Sequence, residues 1–205
     1  MTVRVGFLRA VNLGKRKVEM ARLKGVAEGL GYDDVWTYIN SGNVVFDAKG
    51  ARATVEKAME KALEGEFGFE CTTFVRTAAE LAKTLAATPF EVGGEDTHFV
   101  TFLKKAPSAS AAKAIEAMST DFDTLVVQGA DVHWLMHGRS IESQIAKRHW
   151  EQILGPLSST SRNVKALTKL SDKIAARTRS WDDKRSAFAW IASRTYCARP
   201  GSWSS

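Results

Sequence analysis

The chain lacks any apolar run near the ~18 residues needed to span a bilayer, so no membrane partner is expected. No leader is expected either. "MTVRVGFLRA" enters an alternating strand at once, without a basic segment, an apolar stretch and a small-residue cleavage site, and the expected compartment is the cytoplasm. Cysteine is scarce: Cys71 and Cys197 stand 126 residues apart with no framework around them, which favours two thiols over a disulfide. Histidine is equally sparse. His133 and His137 are four apart, but on a strand that puts them ~13 Å apart along one face, and His98 and His149 have no companion in sequence. No Cys or His spacing suits zinc, so neither a metal nor another cofactor is expected. No nucleophile-elbow sequence exposes a serine. Gly14-Lys15 is not a Walker loop either, because Gly6 precedes Gly14 by eight residues and Arg16 stands where a hydroxyl would hold magnesium. A familiar protein-only catalytic mechanism therefore has no positive support, and enzyme status stays open.

What is present is an ordinary globular composition: 205 residues, 44% hydrophobic and 25% charged. The net charge of +6 is unevenly spread. Residues 1–90 carry 13 basic against 11 acidic side chains, residues 91–138 carry 3 against 7, and residues 139–205 carry 13 against 5. A basic last third fits an acidic partner such as nucleic acid, or simply a solvated surface.

Val3, Val5 and Phe7 alternate as a strand should. Met20, Leu23, Val26, Ala27 and Leu30 recur at helical spacing, with Gly31 as the stop. "DVWTYI" and "NVVFD" read as a hairpin, residues 52–64 as a second helix, and "FECTTFVR" (69–76) as a closing strand. The order β-α-β-β-α-β is that of a split βαβ, ferredoxin-like sandwich. A helix over 78–87 follows, and then "HFVTFLKK" (98–105) echoes "VRVGFLRA". A helix near 108–118, a hairpin of "DTLVVQ" and "DVHWLM", and helices over 141–152 and 162–176 continue the theme, with the last strand poorly marked. The expected fold is α+β: two tandem ferredoxin-like sandwiches with antiparallel sheets, the second less regular, and a C-terminal helical extension. The expected boundaries are 1–76 and 97–176 for the two units, 77–96 for the link, and 177–205 for an extension of unclear order.

A right-handed crossover makes the first two strands parallel. The end of strand one, the start of helix one and the first hairpin turn must then share one edge. That brings Arg9, Asn12, Gly14, Lys15, Arg16 and Lys17 near Asn40, Ser41 and Asn43. Cations at a helix N-terminus suit an anion; Asn-Ser-Gly-Asn also suits a purely structural turn. In the expected helix 162–176, Thr160 or Ser161 reads as the cap. Arg162, Lys165, Lys169, Lys173 and Arg177 fall in one arc, with Val164, Leu167, Leu170 and Ile174 in another. Such a stripe tracks a phosphate backbone or faces water. The tail, with Trp181, Trp190 and Trp203, has no clean period.

Residues 7–46, together with "TPF" (88–90) and "TSRNVKALTKL" (160–170), closely resemble the bacterial domain-of-unknown-function 1697 family. The matching positions are Arg9, Asn12, Gly14, Tyr38, Ser41, Gly42, Asn43, Thr160, Arg162 and Asn163, over about residues 3–175. Lys15, where many members have glycine, and Val164, where an aromatic is usual, depart from the pattern. The resemblance implies a tandem ferredoxin-like fold and no established activity. Three readings stand. The leading one is a binding protein for a nucleotide or nucleic-acid backbone, with Arg9, Asn12, Gly14, Lys15, Tyr38, Ser41, Asn43, Arg162 and Asn163 as the ligand-binding set. The second is an enzyme on a phosphorylated or carboxylated metabolite, Arg9 and Arg162 being clamps and Tyr38 or Ser41 near the chemistry. The third is an interaction module whose open sheet faces pair with each other or with another chain, a homo-oligomer being one version.

Overall fold

The alternating residues near the start of the chain form β1 (Thr2–Leu8) in the computed structural model. The structure describes residues 2–9, 11–12, 17–145, 152–155 and 159–195, with residues 181–195 by backbone alone. Helix α1 (Met20–Gly29), strands β2 (Asp33–Tyr38) and β3 (Asn43–Ala48), helix α2 (Arg52–Phe67) and strand β4 (Thr73–Thr77) follow. Leu23 and Ala27 of α1 and Val55, Met59 and Leu63 of α2 lie three or four residues apart, so each helix presents one apolar stripe. These stripes pack on Leu8, Val44, Phe46 and Val75, which share one face of the sheet. The strand order is β2-β3-β1-β4 with every neighbouring pair antiparallel. Thus β1 and β2 run parallel on either side of β3, as the crossover through α1 requires.

Helix α3 (Ala78–Ala86) is closed by a reciprocal cap between Thr77 and Glu80. The first pattern then recurs as β5 (Thr97–Leu103), α4 (Ala109–Glu116), β6 (Asp123–Gln128), β7 (Asp131–Met136) and β8 (Ser159–Asn163), in the order β6-β7-β5-β8. The protein is α+β, with two four-stranded antiparallel sheets of the same ferredoxin-like order and a C-terminal helix, α5 (Val164–Thr195). Among the described residues no helix is long and apolar enough to cross a membrane.

Three expectations are corrected. The helix expected from residue 162 begins at Val164, because residues 159–163 pair with β5, Val100 facing Arg162 and Phe102 facing Thr160. A free ladder edge on β5 outweighs the local capping tendency of Thr160 and Ser161; Asn163 caps instead, its Oδ1 accepting from Lys165 N at 2.8 Å. Arg162 therefore leaves the cationic stripe. Of the helix expected over 141–152, residues 152–154 are helical, while the start is a 3-10 turn, Ser140–Glu142, followed by non-helical residues 143–145. There Ser143 Oγ donates to Asp123 Oδ1 at 2.8 Å and accepts from Ile145 N at 3.1 Å, drawing the backbone out of a helix. The closing strand of the first sheet starts at Thr73 and not at Phe69, whose ring lies against Phe67 at the end of α2. The positions 146–151, with His149, and Cys197 and Trp203 lie outside the described residues, as do the side chains of Trp181 and Trp190.

The chain divides into two compact units, Met1–Thr168 and Lys169–Ser205. In the second, Leu170 and Ile174 are buried while Lys169, Lys173 and Arg177 are exposed. The first contains both sheets. Helix α4 covers one face of the second sheet, Ile115 packing with Leu103, Leu125 and Val132. The opposite faces meet: Phe7 of β1 and Phe102 of β5 stack with centroids 4.3 Å apart and planes 5° from parallel. Stacking of that kind adds about 0.5–1.5 kcal/mol beyond area burial. Lys104, just after β5, donates to Glu60 Oε1 at 2.6 Å and Glu56 Oε2 at 3.2 Å of α2 and to Thr73 O, binding the sheets further.

Candidate anion-binding rim

The topological expectation that the end of β1 meets the β2–β3 turn holds in the hydrogen bonds. Leu8 N donates to Gly42 O at 2.8 Å, and Asn12 Nδ2 donates to Asn40 O at 2.6 Å. Asn12 Oδ1 accepts from Val18 N at 2.9 Å, so one amide ties the turn to the segment before α1. Gly42 has φ +73°, and a Cβ there would stand 2.5 Å from Val11 Cγ2 and 3.0 Å from Leu8 Cβ. Only glycine fits. Asn12 and Ile39 are also left-handed, at φ 60° and 49°. Asparagine tolerates that region; for a β-branched residue it is an outlier costing about 1–2 kcal/mol.

Across the sheet-to-sheet contact, Arg162 of β8 reaches this turn. Its Nε donates to Asn43 Oδ1 at 2.8 Å, and its Nη2 donates to Leu8 O at 2.6 Å and Ser41 O at 2.9 Å. Its Nη1 donates to Thr160 Oγ1 at 2.8 Å and Ser161 O at 2.9 Å, and the guanidinium lies over the Phe7 ring. Every one of these acceptors is neutral. Among the described residues no carboxylate touches Arg162, and burial lowers its guanidinium from the usual arginine range to about 10.

A second arginine occupies the equivalent place in the other half. Arg76 of β4 faces Val5, as Arg162 of β8 faces Val100. Arg76 Nη2 donates to Leu103 O and Ala130 O, each at 2.9 Å, and the group lies over the Phe102 ring. Here the partner is an acid: Nε and Nη2 donate to Asp131 Oδ1 at 3.0 and 2.6 Å, and Thr84 Oγ1 donates to Asp131 Oδ2 at 2.6 Å. Asp131 faces Phe102 just as Asn43 faces Phe7. The two clamps differ by one functional group. The aspartate-paired clamp is neutralised, and the asparagine-paired clamp meets no carboxylate among the described residues.

The remaining sequence-predicted residues sort as follows. Arg9 Nη1 donates to Ser159 O, so a second cation joins the same rim. Asn43 Nδ2 donates to Tyr38 O at 3.1 Å and Ser41 Oγ at 2.9 Å, which leaves the Ser41 hydroxyl its own proton to donate. The half-buried Tyr38 phenol has no hydrogen bond to another described residue. Asn163 is committed to its cap and reaches the rim only as the neighbour of Arg162. Gly14, Lys15 and Arg16 lie outside the described residues.

Two features were not foreseen. His98 does have a companion: its Nε2 stands 3.1 Å from His133 Nδ1, with Phe90 against both rings. The pair is diagonal across β5 and β7, and only the strand register reveals it. Burial, and then the nearby His133, lower His98 to about 4; burial lowers His133 against the opposing pull of Asp131. The second is a cleft of about 360 Å³ lined by Arg52, Arg76, Lys83, Thr84, Gln128 and Asp131, at the neutralised clamp. It contains none of the predicted site residues. Among the described residues no three His, Cys, Asp or Glu side chains cluster to hold a metal.

Two ferredoxin-like sheets joined by reciprocal arginine clamps characterise this chain by architecture. Residues 1–133 match the family described as "Protein of unknown function (DUF1697)", and the chain belongs to that family. No curated protein matches it. A solved structure titled "The structure of conserved bacterial protein SP0830 from Streptococcus pneumoniae" is similar, with a TM-score of 0.66 and 21% identity, over 85% of this chain and 99% of that one. That likeness shows the shared fold.

Proposed function

We propose that the protein binds an anionic ligand, a nucleotide or a nucleic-acid backbone, at the rim formed by Arg9, Asn12, Tyr38, Ser41, Asn43 and Arg162. One observation carries the reading: Arg162 is a desolvated cation whose described partners are all neutral. The guanidinium protons are spent on protein acceptors, so Arg162 contributes field and the contacts fall to other groups, the Ser41 hydroxyl, the Tyr38 phenol and the exposed Asn40 amide. A unit anion about 6 Å from such a charge gains about 3 kcal/mol at an effective dielectric of about 20. Placed beside Arg76, the same anion would meet a charge already answered by Asp131.

The test is fluorescence or calorimetric titration with ATP and a short oligothymidylate at low and high salt. Binding at low salt that weakens steeply with added salt is expected. Asn43→Asp, which supplies the carboxylate that Asp131 supplies in the other half, is expected to lower affinity by about tenfold or more, with circular dichroism unchanged. Absence of binding at low salt would refute the proposal.

A further inference from the structure

The rim carries an element that charge alone does not explain. Ile39 sits at the tip of the β2–β3 turn with φ 49° and 49% of its surface exposed. Both properties run against its chemistry: a β-branched side chain disfavours the left-handed region, and an apolar one gains nothing in water. Asn40, the next residue, is braced by Asn12, and Ser41 is braced by Arg162, so the turn is held with Ile39 in this conformation. Asparagine or glycine would fill the position without strain, as glycine does at position 42. An exposed isoleucine kept under strain two residues from the backbone carbonyl that Arg162 holds, a cation with no carboxylate partner among the described residues, is the arrangement of a surface that contacts something both apolar and charged.

Building on the anion-binding reading, we infer that Ile39 is a specificity-determining contact for a nucleobase, so that the ligand is a base-bearing phosphate and not a bare polyanion. A base offers a flat apolar face that covers the isoleucine while its phosphates lie in the field of Arg162 and Arg9. Inorganic polyphosphate offers only the second interaction. Free nucleotide and single-stranded nucleic acid share this chemistry.

The experiment compares ATP with tripolyphosphate, and each with a short oligothymidylate, on the full chain and on Ile39→Asn and Ile39→Val. Wild type is expected to bind ATP more tightly than tripolyphosphate at matched ionic strength. Ile39→Asn is expected to weaken ATP and oligothymidylate by roughly five- to tenfold, to leave tripolyphosphate within about twofold, and to raise the melting temperature by about 2–4 °C as strain is relieved. Ile39→Val, which keeps the strain and most of the apolar surface, is expected to stay within about twofold of wild type for every probe. Tighter binding of the oligothymidylate with a steeper salt dependence identifies nucleic acid as the source of the base; tighter ATP binding identifies free nucleotide. Equal ATP affinity in wild type and Ile39→Asn overturns the assignment of Ile39 while the anion site stands. Failure of all three probes on wild type removes the anion site, and this inference with it.

Discussion

A guanidinium whose acceptors are all neutral and one that faces a carboxylate respond differently to loss. Removing Arg76 leaves Asp131 buried without its cation, and breaking such a pair from one side costs about 3–5 kcal/mol. Removing Arg162 strands carbonyl and amide acceptors but no charge, a penalty of about 1–3 kcal/mol. Urea denaturation is therefore expected to show Arg76→Gln clearly less stable than Arg162→Gln. Equal losses would mean that the two clamps are energetically alike and that the Asn43 side carries no excess charge. Gly42→Ala belongs to the same scale. Its Cβ would collide with Val11 and would also have to adopt positive φ, so a loss of about 2 kcal/mol or more is expected in the same assay.

At the level of strands and helices, the β5–β7 pair carries a titration. His98 is held at about 4 and His133 also below its ordinary value, so both are neutral in the folded chain near neutral pH. The unfolded chain takes up these protons below about pH 6.5, whereas the folded chain does so only near the lowered values. Stability is thus complete above that pH and falls as pH drops toward 4, His98 alone accounting for about 3 kcal/mol. Denaturation curves between pH 7 and pH 4 should be flatter for His98→Gln than for wild type; parallel curves would remove the pair from the account. The elements themselves were largely readable. Period-two alternation marked β1, runs of β-branched and aromatic residues marked the hairpin strands, the echo of β1 marked β5, and the recurrence of Leu23 with Ala27, or Val55 with Met59, marked the helices. What escaped depended on partners distant in sequence. "STSRN" has the composition of a helix cap and becomes a strand only because the edge of β5 is open to it. His98 and His133 become neighbours only through register, and Arg162, grouped with Ser41 and Asn43 from the sequence, was expected on a helix and reaches the turn from a strand.

For the molecule as a whole, the sheet faces that carry Phe7 and Phe102 bury each other, so the sheets are expected to unfold as one cooperative unit. Phe102→Ala, a large-to-small change at a fully buried position, is expected to cost about 3–5 kcal/mol and to lower amide protection in β1 and β4 as much as in β5 and β8. Loss of protection confined to the second sheet would show two independent folding units. The exchange of arginines gives this union a genetic side. Each half of the polypeptide encodes the cation that finishes the other's turn, Arg76 for Asp131 and Arg162 for Asn43. A substitution at either hairpin therefore alters the surroundings of an arginine encoded in the opposite half, and changes at the two are expected to be energetically coupled.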